Sequence, residues 1–271
     1  MVAVVHRDDG EVWMLMDDVG SGIRPRGRFG DDDERALLRA VARLHAKHWG
    51  DPALARLPMS TTEQTTSAWA TPTATAAKGP EAIAASPAWV QQFISDFTPL
   101  EVLLPAFLEL LSKEDADLYL ELCEDGSWHR GFDDTPTTLV HGDLRRANIS
   151  FMDDGTLCLI DWELASRGPA ATDLAWHWLL HFWAYPTDDR PPQAHDPLLD
   201  LYLDTLEAEL DARIDRHDFM RVWEVAWLRA LAQLGFCLAD LPTNPTEAQR
   251  ARARARAAAA MARVRRALDA L

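Results

Sequence analysis

Cysteine, lysine and long apolar runs are what this chain has least of. Its three cysteines, Cys123, Cys158 and Cys237, are odd in number, far apart and form no C-x-x-C pair. That excludes a disulfide framework and a cysteine-based zinc site, and it points to a reducing compartment. Only three lysines are present, Lys47, Lys78 and Lys113, and the formal net charge is −16. A field of that sign repels nucleic-acid phosphates and anionic membrane surfaces, and draws cationic small molecules over long range. No segment has the uncharged run of a membrane span, and charge arrives at Arg7, too soon for a signal-peptide apolar region. The expectation is a cytoplasmic protein with neither a nucleic-acid nor a membrane partner.

What is present suits a globular domain. The 271 residues are 48% hydrophobic and 26% charged, enough to bury a core. Val2 to His6 and Val12 to Met16 are β-favouring runs around Arg7-Asp-Asp-Gly10, which predicts a hairpin. A linker with Gly20, Gly22, Pro25, Gly27 and Gly30 follows. Leu37, Leu38, Val41, Leu44 and His45 then recur at helical spacing behind Asp31 to Asp33, predicting a helix over 33–48. Residues 58–86, rich in Thr, Ala and Ser and broken by prolines, show no sustained period and read as a long surface excursion with broken helical pieces. Apolar residues return at helical intervals from Pro87 to Cys123, predicting two or three helices. Three short strands follow, 137–140, 149–152 and 157–160, the last two joined by Asp153-Asp154-Gly155. The remainder reads as helices over 171–184, 197–213, 216–239 and from Pro245, with Asn244 and Glu247 forming the last helix start.

The chemistry concentrates in Val140-His141-Gly142-Asp143-Leu144-Arg145-Arg146-Ala147-Asn148 and in Leu159-Ile160-Asp161-Trp162-Glu163. Read singly, these are ordinary turn residues with structural hydrogen bonds. Read jointly, H-G-D-x-x-x-x-N followed by I-D-W-E, with a hairpin of fitting length between, resembles the signatures of the aminoglycoside phosphotransferase and choline kinase family, which is similar in fold to the protein kinases. The resemblance implies an α+β, protein-kinase-like fold: a mainly helical C-terminal lobe over 20–271, a short β-hairpin catalytic and metal region, and a remnant of the N-terminal lobe and hinge over 1–19. It implies ATP as co-substrate and Mg²⁺, with Asp143 as catalytic base and Asn148 and Asp161 as metal ligands. Arg145 either supplies positive charge to the transferring phosphate or is a solvated or capping arginine. His141 reads as a buried brace of the loop.

The resemblance extends to the flanks. Glu11 to Gly20 looks like the family's hinge strand, so Met16, Asp17, Asp18 and Val19 are the implied nucleotide contacts. Gly168 to Ala175 matches the segment after the metal aspartate, where Asp173 braces the catalytic loop. The family's strand lysine and phosphate-covering loop have no counterpart ahead of that hinge, since all three lysines follow it. Losing one preorganised donor typically costs about 10²- to 10³-fold in rate. The expectation is therefore a small-molecule kinase acting on a hydroxyl of an aminoglycoside, a choline-like compound or another alcohol. The rival is a pseudokinase or truncated remnant that only binds. The hairpin edge at 2–6 and 12–16 offers a surface for homodimer pairing. Trp176, Trp178, Trp183, Trp223 and Trp227 read as helix packing rather than a cation cage. The arginine-rich end reads as the solvated face of a helix docked through Met261, Val264, Leu268 and Leu271.

Overall fold

A computed structural model of the chain describes residues 3–6, 12–15, 30–184, 196–242, 244–269 and 271. Strands β1 (Ala3–His6) and β2 (Val12–Leu15) pair antiparallel, with Ala3 opposite Leu15 and His6 opposite Val12, as the alternating run predicts. Helix α1 (Asp31–Lys47) starts where the Asp33 carboxylate accepts the Gly30 N–H at 3.1 Å. Four acidic residues in its first turn and His45 and Lys47 in its last complement the helix dipole. Its apolar face, Leu37, Leu38, Val41 and Ala42, is fully buried, each leucine stabilising the fold by about 2 kcal/mol.

The segment expected as a surface excursion with broken helical pieces is helical, but it contributes to the core instead of lying wholly on the surface. After the two-residue strand β3 (Ser60–Thr61), helix α2 (Thr62–Ala77) turns one face inward, with Thr66, Ala70, Thr73 and Ala74 buried. Thr61 and Gln64 cap each other at its start. The period is hidden because threonines occupy core positions. They do so by returning their hydroxyls to the helix, Thr66 to the Thr62 carbonyl at 2.6 Å and Thr73 to that of Trp69 at 3.0 Å, so neither hydroxyl is buried bare. Helix α3 (Pro80–Ala85) completes the segment.

Helices α4 (Ala88–Asp96), α5 (Thr98–Leu110) and α6 (Lys113–Glu124) follow, within the two or three expected. Strand β4 (Thr138–Val140) precedes the β5 (Ile149–Phe151) and β6 (Leu157–Leu159) hairpin, in which Ile149 faces Leu159. Gly155, at φ +85°, closes its turn. A strand not foreseen, β7 (Ser166–Gly168), joins β3 in parallel and β4 antiparallel, giving a small sheet in the order β3-β7-β4. Helix α7 (Ala171–Trp178) is buried throughout and continues as one π-helical stretch, Leu179–Ala184.

Helix α8 (Asp196–Leu210) packs on α1, and α9 (Arg216–Leu234) forms the centre of the helical body. With its continuation to Ala239, α9 has the length and composition of a membrane span, but 94% of its 18-residue apolar window is buried inside the protein, as in a core helix. Trp176, Trp178, Trp183, Trp223 and Trp227 are all buried packing residues. Helix α10 (Glu247–Asp269) begins two residues later than expected. Its start is capped by Thr246 and Gln249, whose backbone and side chains exchange hydrogen bonds of 2.8 and 3.2 Å, rather than by Asn244 and Glu247. It docks through Ala253, Ala257, Ala260, Met261, Val264 and Ala267, whereas Leu271 is exposed. Arg263 lies 4.5 Å from the Trp227 ring and bonds Glu224 at 2.7 Å, so the arginine face is partly engaged.

Candidate active site

The loop after β4 is held by one carboxylate. Asp173, in the first turn of α7, accepts the His141 backbone N–H at 2.7 Å and the Gly142 N–H at 2.8 Å. His45 of α1 lies 3.3 Å from the same carboxylate through Nε2 and 2.7 Å from the Tyr202 hydroxyl through Nδ1. Burial pushes the Asp173 carboxyl up, but the His45 hydrogen bond and charge, the His141 charge and the backbone donor outweigh it, holding the group below the usual carboxylate range. Gly142 has φ +82°, and a Cβ there would sit 2.0 Å from the Leu164 carbonyl oxygen, so both the conformation and the space demand glycine.

His141 is wholly buried. Its Nδ1 receives the Asp143 N–H at 3.3 Å and its Nε2 lies 2.9 Å from the Ile160 carbonyl oxygen, which fixes the ring as a brace between the loop and the end of β6.

Three of the four catalytic and metal candidates, Asp143, Arg145 and Asn148, meet through hydrogen bonds. Asp143 is buried, its Oδ1 accepting from Trp176 Nε1 at 3.0 Å and its Oδ2 from Asn148 Nδ2 at 2.8 Å and Arg145 Nε at 2.9 Å. Arg145 is half-exposed. The Asn148 amide nitrogen also donates to the Asp143 carbonyl at 3.0 Å, so the amide's free direction is its oxygen. Asn148 ends the loop, and Ile160 N–H donates to its carbonyl at 3.1 Å, which puts Asp161 one residue past that pairing. Asp161 is exposed and left-handed at φ +63°, a conformation that costs about 1 kcal/mol for a side chain and that Asp tolerates better than most. Beside it, Trp162 leans on His141 with ring centroids 4.6 Å apart. The hinge contacts expected at Met16, Asp17, Asp18 and Val19 lie outside the described residues.

Asp143 and Arg145 open onto a cavity of about 850 Å³. Its walls are aromatic, with Trp69, Phe93, Phe97 and Trp176, and Trp89 stands at the rim, 51% exposed. Trp69 is the hub, meeting Phe93, Phe97 and Trp176 edge-on at 5.2, 5.1 and 6.2 Å. Polar character comes from Asp143, Arg145, Arg146, Asp96, Glu163 and His181.

Sequence reasoning did not find Trp176 as a partner of Asp143, nor the aromatic wall supplied by α2 and α4. The signal for Trp176 was its place three residues after Asp173, about one turn along a helix already tied to the loop.

The Asn148 amide oxygen, the exposed Asp161 carboxylate one residue past the hairpin pairing, and the buried Asp143 carboxylate on a loop pinned to α7 supply hard oxygen donors and a proton acceptor. No match was found among curated proteins. The model of the phosphotransferase enzyme family (APH) matches residues 2–213, a span that contains every one of these groups; the chain belongs to that family.

Proposed function

We propose that this chain transfers the γ-phosphoryl group of ATP to a hydroxyl of a small molecule seated in the aromatic cavity. The observation that carries the reading is Asp143: a buried carboxylate at the cavity floor, fixed at Oδ1 by Trp176, while Oδ2 takes a donor, Arg145, that is half-exposed. Displacement of Arg145 leaves Oδ2 to accept the substrate hydroxyl proton. As the substrate's hydroxyl oxygen bonds to the γ-phosphorus, the bond to the β,γ-bridging oxygen breaks and ADP departs with the electron pair. Arg145, released from Asp143, is placed to meet the transferring phosphoryl charge.

Mg²⁺ fits the hard oxygens of Asn148 and Asp161, because the Asn148 nitrogen is committed to Asp143 and the Asp161 carboxylate is exposed. When bound, the ion supplies charge neutralisation on the phosphates. The protein-kinase-like architecture implied by the family accords with the mainly helical body. The cavity is of drug-like volume and chiefly aromatic, so it suits an alcohol with substantial apolar surface, and Asp96 and Glu163 suit a cationic group on it. A second reading, a nucleotide- or metabolite-binding protein without turnover, is favoured by the Arg145 hydrogen bond at 2.9 Å that covers the Asp143 oxygen a substrate hydroxyl would need.

Isothermal titration of Mg²⁺·ATP, together with ADP release over a panel of alcohols, tests the proposal. Asp143→Asn is expected to keep nucleotide binding and lower kcat about 10³-fold, and Asp161→Ala to abolish metal-dependent binding. Mg²⁺-dependent binding with no turnover of any acceptor would establish the second reading instead.

A further inference from the structure

Beneath the catalytic loop lies a second cluster that phosphoryl transfer does not use. Glu34 in the first turn of α1, His177 in α7 and His181 in the π-helical stretch are all buried. One ligand atom from each lies within 4.8 Å of the others. Glu34 Oε1 is 2.8 Å from His177 Nε2, and Glu34 Oε2 is 3.5 Å from His181 Nε2. The two imidazoles, four residues apart on one face, stack at 5.1 Å and 14°. We propose that Glu34, His177 and His181 form a binding site for a zinc-class divalent ion, separate from the Mg²⁺ ligands and tying α1 to α7.

Three observations carry this. First, the separations suit adjacent coordination positions. With metal–ligand bonds of about 2.0–2.2 Å, neighbouring donors stand about 3.0 Å apart at right angles and about 3.4 Å apart in a tetrahedron. Second, His177 is oriented as a metal-bound histidine usually is: its Nδ1 lies 3.2 Å from the Leu144 carbonyl oxygen. A carbonyl only accepts, so Nδ1 carries a proton and Nε2 is the nitrogen turned to the carboxylate. At 2.8 Å, Nε2 and Glu34 Oε1 hold one cation between them, a metal ion or a proton. Third, Glu34 Oε2 is buried and accepts no hydrogen bond among the described residues, which is costly for a carboxylate oxygen and is resolved by a metal bond.

The donor set selects the ion. Two imidazoles and one carboxylate suit zinc and its neighbours better than Mg²⁺ or Ca²⁺, which prefer all-oxygen shells. Arg146, whose guanidinium also feels the Glu34 charge, disfavours ions held by charge alone. His181 also lines the aromatic cavity, so the site borders the acceptor pocket. The cation that competes is a proton, shared between Glu34 and His177.

The test uses the full chain, freed of metal by chelation and then titrated with Zn²⁺ in excess Mg²⁺. The expected result is one equivalent of zinc retained by elemental analysis, a rise in Tm with Zn²⁺ but not with Mg²⁺, and visible absorption bands from Co²⁺ in its place. His181→Gln, at the cavity edge and least exposed to a folding penalty, is expected to weaken zinc binding about 100-fold or more. Wild-type protein that takes up no zinc and shows no Tm shift overturns the proposal in favour of the shared proton, without requiring any variant to fold. Zinc binding unchanged in a folded His181→Gln variant overturns it equally, placing the metal on other histidines.

Discussion

Two junctions join α1 to α7, each through a carboxylate and histidine, and they are built on opposite terms. At Asp173 both oxygens are occupied, by two backbone N–H groups of the catalytic loop and by His45. At Glu34 one oxygen meets His177 and the other accepts no hydrogen bond among the described residues. Saturation makes the first a fastener that sets the loop carrying Asp143. Incompleteness makes the second a ligand set. The general lesson is that burial of a carboxylate says little until its donors are counted.

Removing the saturated carboxylate should give the largest effect. Asp173→Ala leaves two buried N–H groups and His45 without their acceptor, and urea unfolding is expected to show a loss of about 3–5 kcal/mol. A loss under about 1 kcal/mol would mean that the loop is held by other contacts. A third kind of histidine site sharpens the comparison, since His129 is buried and neither ring nitrogen has a hydrogen-bond partner among the described residues. Burial, followed by the Arg229 charge, pushes it down to about 4 from an ordinary 6.5.

The unfolded chain therefore binds a proton near pH 6.5 that the folded chain refuses until near pH 4. Stability is fully present above that window and falls by about 3 kcal/mol as pH drops through it. His129→Leu should flatten this limb in unfolding curves taken between about pH 7.5 and 4.5. Asp173, with its pKa depressed, adds a separate loss only below about pH 4, the ordinary carboxylate value. The smallest effect is expected at the incomplete junction. In metal-free protein Glu34→Gln should change stability by less than about 1 kcal/mol, because the amide can donate to His177 Nε2 and so replaces the hydrogen bond it removes.

The same contrast explains what could be read in advance. The loop joining Asp143 to Asn148 and the hairpin that leads to Asp161 were legible because they are encoded within a contiguous stretch: a turn, a short hairpin and its exit. Glu34 and His177 stand 143 positions apart, and no local pattern links them; only His177 and His181, one turn apart, left a trace. Helix α2 was illegible for a different reason. Its buried face is written in Thr66, Thr73 and alanines, whose burial depends on hydroxyls bonding back to the helix, a solution that hydrophobic periodicity does not register. At α10 Thr246 with Gln249 repeats, two residues on, the pattern of Asn244 with Glu247, and the cap forms at the later pair.

The placement of Trp69, Trp89 and Trp176 around the cavity has a practical consequence for finding the acceptor. Indole emission responds to nearby charge and to exclusion of water, so occupancy of this cavity carries its own optical signal. Candidate alcohols can be ranked by intrinsic fluorescence titration before any turnover is sought, and Trp89, half in solvent and half over the opening, is the indole whose surroundings change most when something enters.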